Sequence, residues 1–356
     1  MLEGLRIVDL TQFLPGPMMT QMLADQGAEV VKIEPPAGDP ARQAEPFEGG
    51  QSVWFRNLNR GKASLALDLK TEAGRERLWA EIARADVLVE GFRPGVMERL
   101  GFGWDAVHAL HPAVVYCSIS AFGQTGRLAH HPAHDLVVQA LSGFLSVNDG
   151  PDGTPVVPGA PSADMAAGLT ALSAVLMALL ARQRTGEGRY LDIAMFGSLL
   201  PWSAHIAGGA LTGGEAPRSA SQRSLGGAAF YYIYKCRCGG HVALGGREER
   251  FVRTLLTAMG REDLIPAALA PAGEQDAAIA FLRDTFATRT RDEWEAWFEG
   301  RDVAFAPVLD FREALARPAV REGGLIVESG GGHQIAPPIR TDGTHWPPRA
   351  APDLAR

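Results

Sequence analysis

The chain has 356 residues, 46% of them hydrophobic and 21% charged, which is enough for two domains around a real core. Its net charge of −7 provides no basic footprint for nucleic acid or an anionic membrane, so neither is expected as a partner, although a local basic pocket can still hold an anionic ligand. Cys117, Cys236 and Cys238 make no disulfide framework and MLEGLRIVDL contains no apolar leader, so a cytoplasmic location is expected.

In chain order, Leu5 to Leu10 (LRIVDL) reads as a short buried strand, followed by the turn FLPGPMM and a helix to about Gln26. Glu29 to Ile33 is the next strand, stopped by Pro35-Pro36. Strand, helix and strand at this spacing predict a parallel βαβ unit. The pattern continues with a strand over Ser64 to Leu69, a helix over Thr71 to Ala85 with Thr71 near its start, and strands over Asp86 to Glu90 and Val114 to Ile119. These units predict an α/β fold whose large domain is doubly wound and Rossmann-like. An apolar helix runs from Ala163 to about Arg184, uncharged from Met165 to Ala181. It falls short of the roughly 20 apolar residues that span a bilayer and is rich in alanine, so a buried core helix is expected, closed by Thr185-Gly186-Glu187-Gly188. Tyr190 to Ala194 reads as another strand.

Residues 206–227 are rich in glycine and serine and read as a linker. Beyond it, Phe230 to Lys235 and His241 to Leu244 flank CRCGG as a β-hairpin. Helices around Phe251 to Met259 and Glu293 to Phe298 complete a smaller α+β domain. The expected domains are therefore residues 1–205, joined by a returning segment from about 320 to 356, and residues 228–319. The proline-rich tail from Ile335 should run extended over the surface.

Several positions could carry chemistry. LPGP at Leu14 to Pro17 sits where a dinucleotide fold places its phosphate loop, but it is not GxGxxG, and Pro15 and Pro17 remove two backbone donors. A tight turn permitting close approach is expected, with no nicotinamide or flavin. Cys236, Cys238 and His241 lack the second pair that structural zinc needs, so no metal is expected. His130 and His131 read as solvated loop residues. His134 heads the apolar run DLVVQALSGFL, where a helix dipole disfavours the imidazolium and suits a base. Asp164 stands at the head of the long helix, either as an N-cap worth about 1 kcal/mol or as a reactive carboxylate. Glu248 in GGREERF reads as a solvated charge or a cap.

Read in order, GLRIVDLTQFLPGP, GAEVVKIEPPAGDP, NLNRGKASLALDLKT, ADVLVEGFRPGVMERLG, YCSISAFGQTG, AHDLVVQALSGFL, SADMAAGL and RQRTGEGRYLDIAMF resemble the class III CoA-transferase family, of the formyl-CoA transferase and carnitine-CoA transferase type. The resemblance runs nearly continuously over residues 3–202 and resumes over about 228–251. It implies an acyl-CoA substrate and a homodimer of interlocked chains. It also implies one of two chemistries. Transferases of the family attack the thioester with an aspartate, passing through covalent intermediates. The α-methylacyl-CoA racemase branch instead moves the α-proton between a histidine and an aspartate, with a glutamate supporting the histidine. Asp164 matches the shared aspartate. His134 in AHDL matches the racemase GHD motif, with Ala133 in place of its glycine, and Glu248 falls where that branch reads GAIEPQF. The same resemblance places coenzyme A against Leu67, Asp68, Leu69, Lys70, Gly91, Phe92, Arg93, Arg99 and Asp135, with Lys70, Arg93 and Arg99 suited to its phosphates. Pro35 stands where relatives have a nucleotide-binding arginine, a role that Arg42 or Arg56 could take over. The racemase reading leads, with CoA transfer between carboxylic acids as the alternative.

Overall fold

The apolar runs near the start of the chain become strands because their β-branched residues can be buried on both faces of a sheet. The computed structural model describes residues 1–150, 152–345, 347 and 349–355. Arg6–Leu10, Glu29–Glu34, Ala63–Ala66, Val87–Glu90, Val115–Ser120 and Tyr190–Ala194 form one six-stranded sheet in which every neighbouring pair runs parallel. Counted along the chain, the spatial order is 3-2-1-4-5-6, the doubly wound order. Winding reverses between Arg6–Leu10 and Val87–Glu90, which pair from Ile7↔Val87 to Leu10↔Glu90. The connections leaving these two strands part in opposite directions and open a crevice at their C-terminal ends.

One face of the sheet buries Val8, Leu10, Val31, Ile33 and Leu88 with Leu78 and Ile82 of the Glu72–Ile82 helix. Thr71 caps that helix, its hydroxyl accepting from Gly74 N at 3.1 Å. The Pro15–Asp25 and Ser162–Thr185 helices pack on each other and on the sheet. Gly168 lets them approach, since a Cβ there would lie 2.8 Å from Pro15 O and 2.4 Å from Met18 Cε. That close crossing brings the turn before the first helix to the head of the second. The long helix departs from the enclosed core helix expected. Ala163, Ala166, Ala167, Ala171 and Val175 are buried, but Met177 and Leu180 are 67% and 59% exposed. Its lack of charge reflects an apolar outer stripe as well as a buried inner one.

The chain divides into two compact units, Met1–Ser142 with Gly159–Trp202 and Leu315–Arg356, and Gly143–Pro158 with Ser203–Ala314. Residues 206–227, read as a linker, thus lie within the second unit, with short helical turns at Gly208–Leu211 and Arg223–Leu225. That unit holds the expected hairpin, Tyr231–Lys235 paired antiparallel with His241–Gly245, and a third strand, Phe305–Pro307, beside it. Phe230, Tyr234, Val252, Leu255, Phe286, Trp294 and Phe298 fill its core, with Trp294 Nε1 donating to Phe286 O at 2.9 Å.

Among its described residues the C-terminal tail runs largely extended and exposed, as expected, and is tied down by hydrogen bonds. Ile326–Ser329 and Gly332–Ile335 form a hairpin, and backbone bonds run from Gly61 N to Ala350 O and from Ala66 N to Ala355 O, both 2.8 Å. Arg60 pairs bidentately with Asp25 and donates to Ile335 O at 2.7 Å. Arginine forks that bridge a carboxylate and a carbonyl make the tail part of the first unit, because separating them would strand a buried charge.

Candidate active site

The crevice predicted by the strand order is a cavity of about 280 Å³ in the first unit, lined by residues that follow the two central strands and by the starts of later helices. Thr11, Gln12 and Phe13 come from the turn after Arg6–Leu10, and Gly91, Phe92 and Arg93 from the turn after Val87–Glu90. His131, His134 and Asp164 complete the chemically capable wall.

Asp164 is the third residue of the Ser162–Thr185 helix, and its side chain takes no hydrogen-bond partner among the described residues. It is not the cap of its own helix. That task falls to Asp135, whose Oδ1 accepts from Ala163 N at 2.7 Å and Asp164 N at 3.2 Å, while Oδ2 accepts from Gln139 Nε2 at 2.6 Å. The division of labour has an electrostatic consequence. Burial, and then the nearby Asp135 charge, push the Asp164 carboxyl up from 3.8 to about 7. A carboxyl so placed exchanges its proton near neutral pH, as an acid-base group requires.

His134 is the N-cap residue of the short Asp135–Leu141 helix, but its side chain makes no capping bond. The ring instead meets Phe13 edge-on, with centroids 6.2 Å apart. Phe13 itself has φ of 62°, a left-handed conformation that costs a non-glycine residue about 1 kcal/mol or more. His131 sits on an exposed loop, as expected, and from there lines the same cavity and packs against Phe122 at 5.8 Å. The LPGP turn is a helix start, with Pro15 and Pro17 in the first turn, where missing N–H groups cost nothing. A Cβ on Gly16 would lie 2.3 Å from Thr11 side-chain atoms, so glycine there permits the close approach expected.

The residues assigned to coenzyme A fall into three groups. Gly91, Phe92 and Arg93 line the cavity, and Phe92 N donates at 2.7 Å to Glu90, a buried carboxyl pushed up to about 7 by that burial. Leu67, Asp68, Leu69 and Lys70 form the turn after Ala63–Ala66. Leu67 and Leu69 pack on the core, Asp68 accepts from Lys70 N at 3.0 Å, and Lys70 is exposed. Arg99 is also exposed, in the last turn of Val96–Leu100. Asp135 is the third case, both its oxygens being occupied as helix staples. Neither proposed replacement for an arginine at Pro35 is free. Arg42 grips Glu34 through Nε and Nη2, both at 2.7 Å, and stacks 3.8 Å over Phe55. Arg56 is fully buried, paired with Glu48 and donating to His333 O at 2.9 Å.

Glu248 belongs to the second unit. It occupies the N-cap position of Glu249–Ala258, but its carboxylate caps nothing. With Arg247, Arg223, His205 and Tyr231 it lines a separate cavity in that unit.

With this geometry established, the chain can be set beside known proteins. The family model of CoA-transferase family III matches residues 2–356. An acetyl-CoA:oxalate CoA-transferase of Acetobacter aceti is 35% identical over 351 residues, covering 96% of this chain and 89% of that protein. The human alpha-methylacyl-CoA racemase is 34% identical over 335 residues, covering 92% and 83%. A CAIB/BAIF family protein from Brucella suis superposes with a TM-score of 0.86 at 30% identity, covering 99% of this chain and 96% of that one. The chain therefore belongs to CoA-transferase family III and is an enzyme of that family.

Proposed function

We propose that the enzyme is an α-methylacyl-CoA racemase or epimerase that moves the α-proton of an acyl-CoA thioester between Asp164 and His134. One observation carries this reading: a carboxyl with no side-chain hydrogen bond among the described residues shares a cavity with the His134 imidazole, and burial raises that carboxyl to about 7. A proton-transfer group gains from such tuning, whereas a nucleophile must be ionised and loses by it. One group withdraws the α-proton from one face, the thioester enolate forms, and the other group returns a proton to the opposite face. The two must begin each turnover in opposite protonation states and exchange roles in the reverse direction. Gly91, Phe92 and Arg93 are proposed to hold the pantetheine end, and Lys70 and Arg99 the phosphates.

A second reading has its own support. An uncapped carboxylate could attack the thioester carbon and expel coenzyme A thiolate, leaving an acyl-aspartyl anhydride for transfer to another acid; Acetobacter aceti supplies a relative named for such a transfer. Incubating the enzyme with a chiral 2-methylacyl-CoA in deuterated water separates the two. Racemisation places α-deuterium in recovered thioester with no second acid present. Absence of exchange across several 2-methylacyl-CoAs, together with CoA transfer to added acids, establishes the alternative. We further propose a homodimer formed over the apolar outer stripe of the Ser162–Thr185 helix, where Met165, Leu169, Met177 and Leu180 are exposed.

A further inference from the structure

Beneath the cavity lies a cluster of four buried charges that the proposed chemistry does not use. Lys62 Nζ, fully buried, is surrounded by Asp9 Oδ2 at 3.2 Å, Thr20 Oγ1 at 2.8 Å, Asn59 Oδ1 at 2.9 Å and Pro17 O at 3.1 Å. Lys32 Nζ, equally buried, lies 2.8 Å from Asp39 Oδ2 and donates to Thr11 O at 2.7 Å. Asp9 Oδ1 accepts from both the N–H and the hydroxyl of Thr11, and Asp9 Oδ2 from Thr20 Oγ1 at 2.6 Å. The two ammonium groups balance the two carboxylates. Such clusters stabilise a fold no better than well-packed apolar side chains would, so their contribution lies in the geometry they impose.

That geometry converges on one segment. Thr11 is held through its N–H, hydroxyl and carbonyl, and Pro17 through its carbonyl, so the cluster grips both ends of the turn. Between the grips lie Gln12 and the left-handed Phe13, both lining the cavity, with Phe13 against the His134 ring. A left-handed phenylalanine persists only where its surroundings over-determine it. We infer that Asp9 and Lys62 are positioning residues, which clamp the Thr11–Pro17 turn so that Phe13 holds the His134 ring in its working orientation. The inference rests on His134 acting on substrate, but its test also reads the ring directly.

The test uses the full chain as Lys62→Met, which keeps side-chain length without charge, and as the double variant Asp9→Asn/Lys62→Met. The single variant strands the Asp9 charge and should melt lower, whereas the double variant leaves no unpaired ion and should regain stability. α-Proton exchange should nevertheless stay about 100-fold down in both, the scale of a misplaced catalytic group. Acetyl-CoA affinity should change less than about threefold, because Gly91, Phe92 and Arg93 lie outside the clamp. Proton NMR should show the His134 ring signals displaced by loss of the edge-on Phe13 ring, and hydrogen exchange should quicken at Gln12 to Leu14 but not along Ser162–Thr185. α-Proton exchange returning with stability in the double variant would overturn the inference, as would unchanged His134 ring signals. Wild-type enzyme giving transfer and no α-exchange would sink the racemase reading alone, since the ring signals and loop exchange still report the clamp.

Discussion

Replacing Asp164 by asparagine should inactivate the enzyme and stabilise it, and the second effect can be worked out from the surroundings of the carboxyl. Burial and Asp135 raise it from 3.8 to about 7, and at roughly 1.4 kcal/mol per pH unit its ionisation costs the folded state about 4 kcal/mol. Asparagine keeps the shape and cannot ionise, so a gain of about 4 kcal/mol remains above neutrality. The sign follows from proton counting. Between 3.8 and about 7 the folded enzyme holds a proton that the unfolded chain has released, so wild-type stability falls as pH rises through this window. Glu90, also raised to about 7, adds a fall of the same sign but is present in both proteins and cancels in the difference. Urea unfolding of both proteins at a series of pH values reads this directly. The Asp164→Asn advantage should be small near pH 4, grow towards neutrality and level off above it. An asparagine variant no more stable at pH 8 than at pH 4, relative to wild type, would refute the reasoning and make Asp164 an ordinary ionised residue of the helix start.

His134→Ala should lower α-proton exchange by about 10²- to 10⁴-fold with acyl-CoA binding retained; turnover close to wild type would make His134 structural. Gly168→Ala should cost about 1–3 kcal/mol in urea unfolding, because its Cβ would meet the Pro15 carbonyl at 2.8 Å and force the two helices apart. Met177→Glu with Leu180→Glu places two charges on the exposed stripe and should break the proposed dimer, halving the wild-type mass in light scattering; a monomeric wild type, or a variant of unchanged mass, would refute a dimer through this stripe.

By itself the sequence determined the strands of the six-stranded sheet, because runs such as LRIVDL, EVVKI and DVLVE are too short and too β-branched for helices, and their spacing demands parallel crossovers. It also marked Asp164 at a helix head and His134 before another, since both precede long apolar stretches. Tertiary structure decided what those positions mean. Asp135 relieves Asp164 of capping from a different helix, across 29 residues of chain, and no local signal encodes that bond. His131 enters the cavity because the strand order opens a crevice beside it, and Phe13 takes a left-handed turn because buried charges grip both its flanks. Arg42 and Arg56 look in sequence like spare phosphate ligands, but Glu34 and Glu48 consume them. The uncharged run from Met165 to Ala181 looked enclosed, yet one side of it is exposed. Composition records that a helix face is apolar, whereas what covers that face depends on elements remote in sequence.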